Sequence, residues 1–368
     1  MNSRRDILKA GLVGSAVAAS GLPISALAGE QSQKNKSLNL LILGGTGFIG
    51  PHMVREALRR GHAVTLFNRG RTNNDLFPDL ETITGDRAGD LEGLKGRSWD
   101  AVVDNSGYMP QQVRASARLL ANSIGHYIFI SSISAYASFA NANDEDSPLA
   151  SLDAVPEEFS WENYGALKAI SEKWAADEIG EDRYTVLRPT YICGPGDHTD
   201  RFTYWPVRAS KGGEMLWPGS PEQPLQIIDV RDLANFVVDC VEKRIAGTYN
   251  TVTPVGSYTF GQFLEESNAV NNSAASPVWV SNQFIADNDI GSLLPVYHPL
   301  TGDNANVSSV SGERARAAGL RNRPVRETIR DLMSWWRTLP AERIDSARFA
   351  MTPEREAELV ALWKASQS

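Results

Sequence analysis

The chain has 368 residues, 42% apolar and 22% charged, an ordinary soluble composition long enough for one large or two medium domains. A formal net charge of −8 with no long basic run argues against nucleic acid or an anionic membrane surface as a partner. Two cysteines and five scattered histidines argue against a disulfide scaffold and a metal site, so no metal is expected and Cys193 and Cys240 are expected as buried thiols.

Residues 1–28 read as an export signal. Arg4-Arg5 and Lys9 form a basic start, a weakly apolar stretch runs from Ala10 to Ile24, and Ala26-Leu27-Ala28 supplies small residues for cleavage. Paired arginines here are the pattern of the twin-arginine route, which carries proteins already folded. The expectation is a periplasmic protein with the twin-arginine machinery as a transient partner. The stretch is too short and interrupted to span a bilayer, so no stable membrane insertion is expected after cleavage. Residues 29–37 are polar and read as a flexible linker.

From Leu38 onward, strand and helix patterns alternate. Leu38–Leu43, Ala63–Phe67, Thr82–Thr84, Ala101–Val103, His126–Ile130 and Tyr184–Leu187 are the predicted strands. Phe48–Arg60, Pro110–Ala121 and Tyr164–Ile179 are the predicted helices. Such alternation implies parallel pairing with right-handed crossovers, hence an α/β fold with a doubly wound parallel sheet over 38–190. Residues 191–338 mix short helices (Thr259–Ser267, Val325–Thr338) with loops and read as a smaller α/β substrate lobe. Elements near 226–252 are expected to return to the sheet. The tail, 339–368, reads as helical, with a start at Thr352-Pro353-Glu354.

Gly44-Gly45-Thr46-Gly47-Phe48-Ile49-Gly50 lies directly between the first strand and the first helix. A tight turn, a missing side chain and a free helix N-terminus together suit a dinucleotide pyrophosphate. Gly44, Thr46, Gly47, Phe48, Ile49 and Gly50 are therefore expected at an NAD(P) cofactor. The second strand ends in Asn68-Arg69-Gly70-Arg71, where an acidic residue would repel a 2′-phosphate. Asn68 and Arg69 remove that repulsion and tilt the expectation toward NADP. Asp86, with Arg87 beside it, is expected at the adenine.

Three residues carry the expected chemistry. Tyr164 and Lys168 are one turn apart on one helix face, so an ammonium can favour a phenolate. Ser132 follows the strand His126–Ile130, at the edge where open α/β sheets bind ligands, and can hold the reacting oxygen. A phenolate that takes a hydroxyl proton as hydride leaves the same carbon completes a reversible alcohol–carbonyl step. Tyr164 and Lys168 thus face both substrate and cofactor.

With glycine loop, serine-ended strand and Tyr/Lys helix in this order, the chain resembles the extended short-chain dehydrogenase/reductases, and within them the NAD-dependent epimerase/dehydratase group. Leu187-Arg188-Pro189-Thr190-Tyr191-Ile192-Cys193-Gly194-Pro195-Gly196, Ile228-Asp229-Val230-Arg231-Asp232-Leu233 and Gly247-Thr248-Tyr249-Asn250 extend the likeness to roughly 38–338. The resemblance implies a catalytic role for Ser132 and a substrate-binding C-terminal lobe, with Tyr191, Asp197, His198, Arg201 and Gln226 as weak contact candidates. Asn68 departs from the family's acidic ribose residue. The glycine run and Thr65–Gly70 are closer to atypical members, including chloroplast stem-loop RNA-binding proteins.

Export and a dinucleotide site together favour a cofactor that is held tightly and returned unchanged, because free NAD(P) is scarce outside the cytoplasm. The expected substrate is a sugar, glycoside or polyol-like small molecule, with a homodimer as the assembly considered. The alternatives are an NADP-dependent carbonyl reductase or alcohol dehydrogenase, and a non-catalytic cofactor sensor or nucleic-acid binder on the same fold.

Overall fold

A computed structural model describes residues 36–368. The export signal expected at 1–28 and most of the 29–37 linker lie outside the described residues. Seven parallel strands form the central sheet: β1 (Asn39–Leu43), β2 (Ala63–Asn68), β3 (Glu81–Thr84), β4 (Trp99–Asp104), β5 (Ile124–Ile130), β6 (Tyr184–Pro189) and β7 (Gly247–Thr251). Their order is β7-β6-β5-β4-β1-β2-β3.

Leu40, Leu41, Ile42 and Leu43 are all essentially sealed, as a strand covered on both faces requires. Alternate side chains go to opposite faces. Leu40 and Ile42 pack beneath α1 (Gly50–Arg59) and α4 (Val230–Lys243). Leu41 and Leu43 share a second core with Val113 and Ala117 of α2 (Pro110–Leu120) and Ala175 and Ile179 of α3 (Tyr164–Ile179). The strand order reverses between β1 and β4, which opens a crevice at their carboxyl ends.

The remainder builds a third core around Trp205, Trp217, Phe260 and Phe263. Gly213–Pro218 pairs in parallel with Ala275–Val280, inside a region where the sequence shows no clear periodicity. Phe260–Asn271 starts with a capping box, Thr259 and Gln262 satisfying each other's backbone N–H groups. The tail is not one continuous helix: Ala341–Asp345 and Pro353–Ser366 are separate, with the Thr352 side chain capping the second. Leu359 and Val360 are buried in the third core, so this segment is part of the lobe's packing. Cys193 and Cys240 are both buried and unbridged.

Candidate active site

The loop after β1 uses its glycines for different purposes. Gly44 has φ +91, which an L side chain resists, and its N–H donates to the Phe67 carbonyl at 3.0 Å. A Cβ on Gly50 would lie 2.4 Å from the Gly44 carbonyl oxygen, so α1 approaches the loop only without a side chain there. A Cβ on Gly47 would meet nothing within 4 Å. Its space opens beside the first turn of α1, whose N-cap, Ile49, offers no side-chain hydrogen bond. Vacant space over an uncapped helix N-terminus fits a pyrophosphate by shape and by charge. Thr46 is buried, and its carbonyl accepts from Asn73 Nδ2 at 2.9 Å. Phe48 packs edge-on against His52 and His198, ring centroids 6.4 and 6.3 Å away. His198 therefore lies against the glycine loop.

At the ends of β2 and β3, Asn68 Oδ1 accepts from the Gly70 N–H at 2.9 Å, fixing the turn that leaves Arg69 and Arg71 exposed. Asp86 is half-buried, and its Oδ1 accepts from the Ala88 N–H at 3.0 Å. Arg87 corrects the sequence expectation. Its guanidinium turns inward, 8% exposed, and makes two 2.5 Å bonds to Asp104 and one of 2.7 Å to Ser116 Oγ. Tyr127 donates to the same carboxylate at 2.7 Å. Asp104 ends β4, so this ion pair ties the third strand to the switch-point edge of the sheet instead of facing a nucleotide. No motif marked it, because its members are scattered from Arg87 to Tyr127 and meet only across the sheet.

Ser132 and Tyr164 are brought together by a backbone contact. A Cβ on Gly165 would lie 2.0 Å from the Ser134 carbonyl oxygen, so only glycine lets the first turn of α3 sit on the Ser132–Ser134 turn. Ser132 caps that turn, accepting from the Ser134 N–H at 3.1 Å. Burial pushes the Tyr164 phenol up to about 12, and the nearby Ser132 hydroxyl opposes this only in part. The expected lowering of the phenol by Lys168 is not what the structure shows. The ammonium sits 6.0 Å from the Tyr164 ring centroid, 4% exposed, and donates to the carbonyls of Gly107 (2.7 Å) and Ile130 (2.8 Å). Burial lowers it to about 8. The i, i+4 spacing put both residues on one face, but the packing of α3 sent Lys168 to the floor.

From the second lobe, Arg201 lies with its guanidinium 5.5 Å from the Tyr191 ring, and its charge favours both the Tyr191 and the Tyr164 phenolates. Tyr191 Oη is hydrogen-bonded to His298 Nε2, a partner the sequence gave no sign of. Gln226 is a correction, and Asp197 is more deeply placed than a contact residue on an open loop. Gln226 is 2% exposed, donating to the carbonyls of Thr253 and Val310 and accepting from the Val310 N–H. Asp197 is 1% exposed and accepts from the Thr199 N–H and hydroxyl. Both hold loops, and Gln226 has both of its side-chain polar atoms partnered within the protein. Tyr108, Phe159 and Trp161 also surround Tyr164, unmarked in the sequence because two separate loops supply them.

Residues 40–252 match the family described as NAD dependent epimerase/dehydratase. The chain is 26% identical over 261 residues to an epimerase family protein of Bos taurus, covering 66% of this chain and 83% of that one. It is 27% identical over 212 residues to the chloroplast stem-loop binding protein of 41 kDa b of Arabidopsis thaliana, and spans 53% of that relative's length and of its own. A crystal structure of UDP-glucose 4-epimerase superposes with a TM-score of 0.61 at 16% identity, covering 82% of this chain and 98% of the other. At that identity the likeness is one of fold.

Proposed function

The chain belongs to the NAD-dependent epimerase/dehydratase family, and from that membership we propose that it performs transient hydride transfer at a hydroxyl or carbonyl carbon of a neutral, sugar-like small molecule, keeping its cofactor throughout. The observation that carries the reading is the run of contacts from Gly44 of the glycine loop, packed against Ser106, to Gly107, whose carbonyl holds Lys168, and on to Tyr164 and Ser132.

Gly47 and the first turn of α1 would hold the pyrophosphate, and Asn68, Arg69 and Arg71 would face the adenosine ribose. With no carboxylate at 68 and two exposed guanidiniums nearby, we read the preferred form as NADP. When bound, the nicotinamide supplies the hydride acceptor and donor. The protein's own residues handle the proton. Tyr164, raised to about 12, rests as a phenol and is poised to protonate a substrate carbonyl oxygen. Ser132 holds that oxygen beside it. In the reverse sense the phenolate must exist briefly, and the cation whose charge favours it is the Arg201 guanidinium of the second lobe.

The leader expected at 1–28 extends the proposal to location. A protein exported folded can carry its cofactor out, and a reaction that oxidises and re-reduces the same substrate needs no exchange. Free sugars and glycosides fit such a compartment better than nucleotide sugars. A carbonyl reductase on the same residues would instead consume added NADPH stoichiometrically. The stem-loop binding relative suggests a nucleic-acid reading, which the net charge of −8 disfavours.

The test is native mass spectrometry of protein recovered from the periplasm, joined to an assay of Tyr164→Phe. The expected mass lacks residues 1–28 and includes one NADP. Tyr164→Phe is expected to retain the cofactor and lose conversion of a panel of free sugars and glycosides by at least about a hundredfold. Cofactor-free protein, or a variant as active as wild type, would overturn the reading.

A further inference from the structure

Three aromatic side chains outside the proposed chemistry surround Tyr164 on its solvent side. Tyr108 follows β4, and Phe159 and Trp161 precede α3. Ring centroids lie 5.5 Å apart for Tyr108–Phe159, 5.0 Å for Phe159–Trp161, 5.6 Å for Trp161–Tyr164 and 6.3 Å for Tyr108–Tyr164. Exposure rises outward from 4% at Lys168 to 45% at Tyr108 and 74% at Trp161. A tryptophan left that open forgoes a large burial free energy, so its place beside a reacting hydroxyl calls for a ligand. It is also held in place. The Tyr164 N–H donates to the Trp161 carbonyl at 3.3 Å, the Asn163 N–H to Ser160 Oγ at 3.3 Å, and Gln111 Nε2 to the Pro156 carbonyl at 3.4 Å.

The charge around the rings narrows the occupant. Residues 151–163 carry Asp153, Glu157, Glu158 and Glu162, all exposed, and no lysine or arginine. The cations near these rings are Lys168, buried on the floor 5.5 Å from the Tyr108 ring, and Arg201 on the second lobe, so a phosphate or carboxylate approaching along this acidic loop is repelled, whereas an uncharged ring is not. We propose that Tyr108, Phe159 and Trp161 form a stacking platform for an uncharged aromatic ring carried by the substrate next to the carbon that Tyr164 serves. The substrate class is then an aryl-substituted secondary alcohol, and on the sugar reading above an aryl glycoside. The proposal rests on Tyr164 being the reacting group. The platform is too small for a stable protein interface, which needs far more area than three rings offer. Its outward position leaves the buried floor at Lys168 to the cofactor.

Binding to the cofactor-loaded protein tests this with two ligand pairs: phenyl against methyl β-D-glucopyranoside, and 1-phenylethanol against 2-butanol. Wild type is expected to favour the aryl member by about fivefold, the size of one aromatic contact. Trp161→Ala should bring the ratio to about one with cofactor content and unfolding midpoint unchanged, and Trp161→Phe should keep most of the preference. An aryl preference confined to the alcohol pair supports the platform and removes the sugar reading; one seen with the glucosides supports both. No aryl preference in either pair, or a preference that survives Trp161→Ala, overturns the platform. Loss of cofactor in Trp161→Ala would assign the ring to covering the cofactor and overturns it equally.

Discussion

Gly47 and Gly50 stand three residues apart in one loop and are glycine for opposite reasons. At Gly50 an added methyl would strike the Gly44 carbonyl at 2.4 Å and the Gly45 backbone at 2.6 Å, neither of which can swing aside. Gly50→Ala is therefore expected to cost about 2 kcal/mol or more, read as a lowered urea midpoint. At Gly47 the methyl meets no protein atom, so Gly47→Ala should stay within about 0.5 kcal/mol of wild type. The same change should weaken cofactor retention by about tenfold, because the methyl occupies the space a pyrophosphate needs. If both variants unfold alike, the assignment of that space is wrong. The sequence marked the loop as a unit; the division of labour within it depends on Cβ directions. Arg87 makes the same point. Adjacent to Asp86 in sequence, it is sent inward by a carboxylate seventeen residues away.

On α3, Tyr164, Lys168 and Glu172 follow one another at four-residue spacing, and all three are used. Glu172 pairs with Arg188 of β6 at 2.6 Å and accepts from Ser131 Oγ at 2.5 Å, both partners buried, which fixes the helix against the sheet. Lys168 lies one turn nearer the site, with a folded-state value of about 8 against an ordinary 10.5. Between those values the unfolded chain still binds the proton that the folded chain has released. Stability contributed by this group therefore rises with pH from about 8 to about 10.5 and is flat below about 8. Urea midpoints of wild type at pH 8 and 10, compared with Lys168→Met, should show a rise in the first that is absent in the second. An equal slope in both would mean the ammonium is solvated. The spacing of these residues was legible in the sequence. The depth was not, since it depends on how α3 is rotated against β5.

Across the whole molecule, the last helix closes the lobe that faces the site. Glu356, 4% exposed, accepts from Arg208 Nε at 2.5 Å and from the Leu216 N–H at 3.1 Å, linking the C-terminal helix to the Tyr204–Ala209 helix and the Gly213–Pro218 strand. Glu356→Ala leaves the Arg208 guanidinium bonded to the Gly212 and Glu214 carbonyls but without its carboxylate, and the Leu216 amide without an acceptor, and is expected to cost about 3 kcal/mol in denaturant unfolding. A change under about 0.5 kcal/mol would show that the helix docks by apolar contact alone. The order of strands and helices over 38–190, the glycine turn after β1, and the spacing of Tyr164 and Lys168 on one helix were legible in the sequence, because 2.0 and 3.6 residue periods and glycine punctuation are local properties of the chain. Which side chains became ion pairs of the interior, how far Lys168 lies from Tyr164, and which aromatics gather at Tyr164 were decided only by tertiary structure. Those properties depend on residues distant in sequence arriving at one place, and on the desolvation that follows when they do.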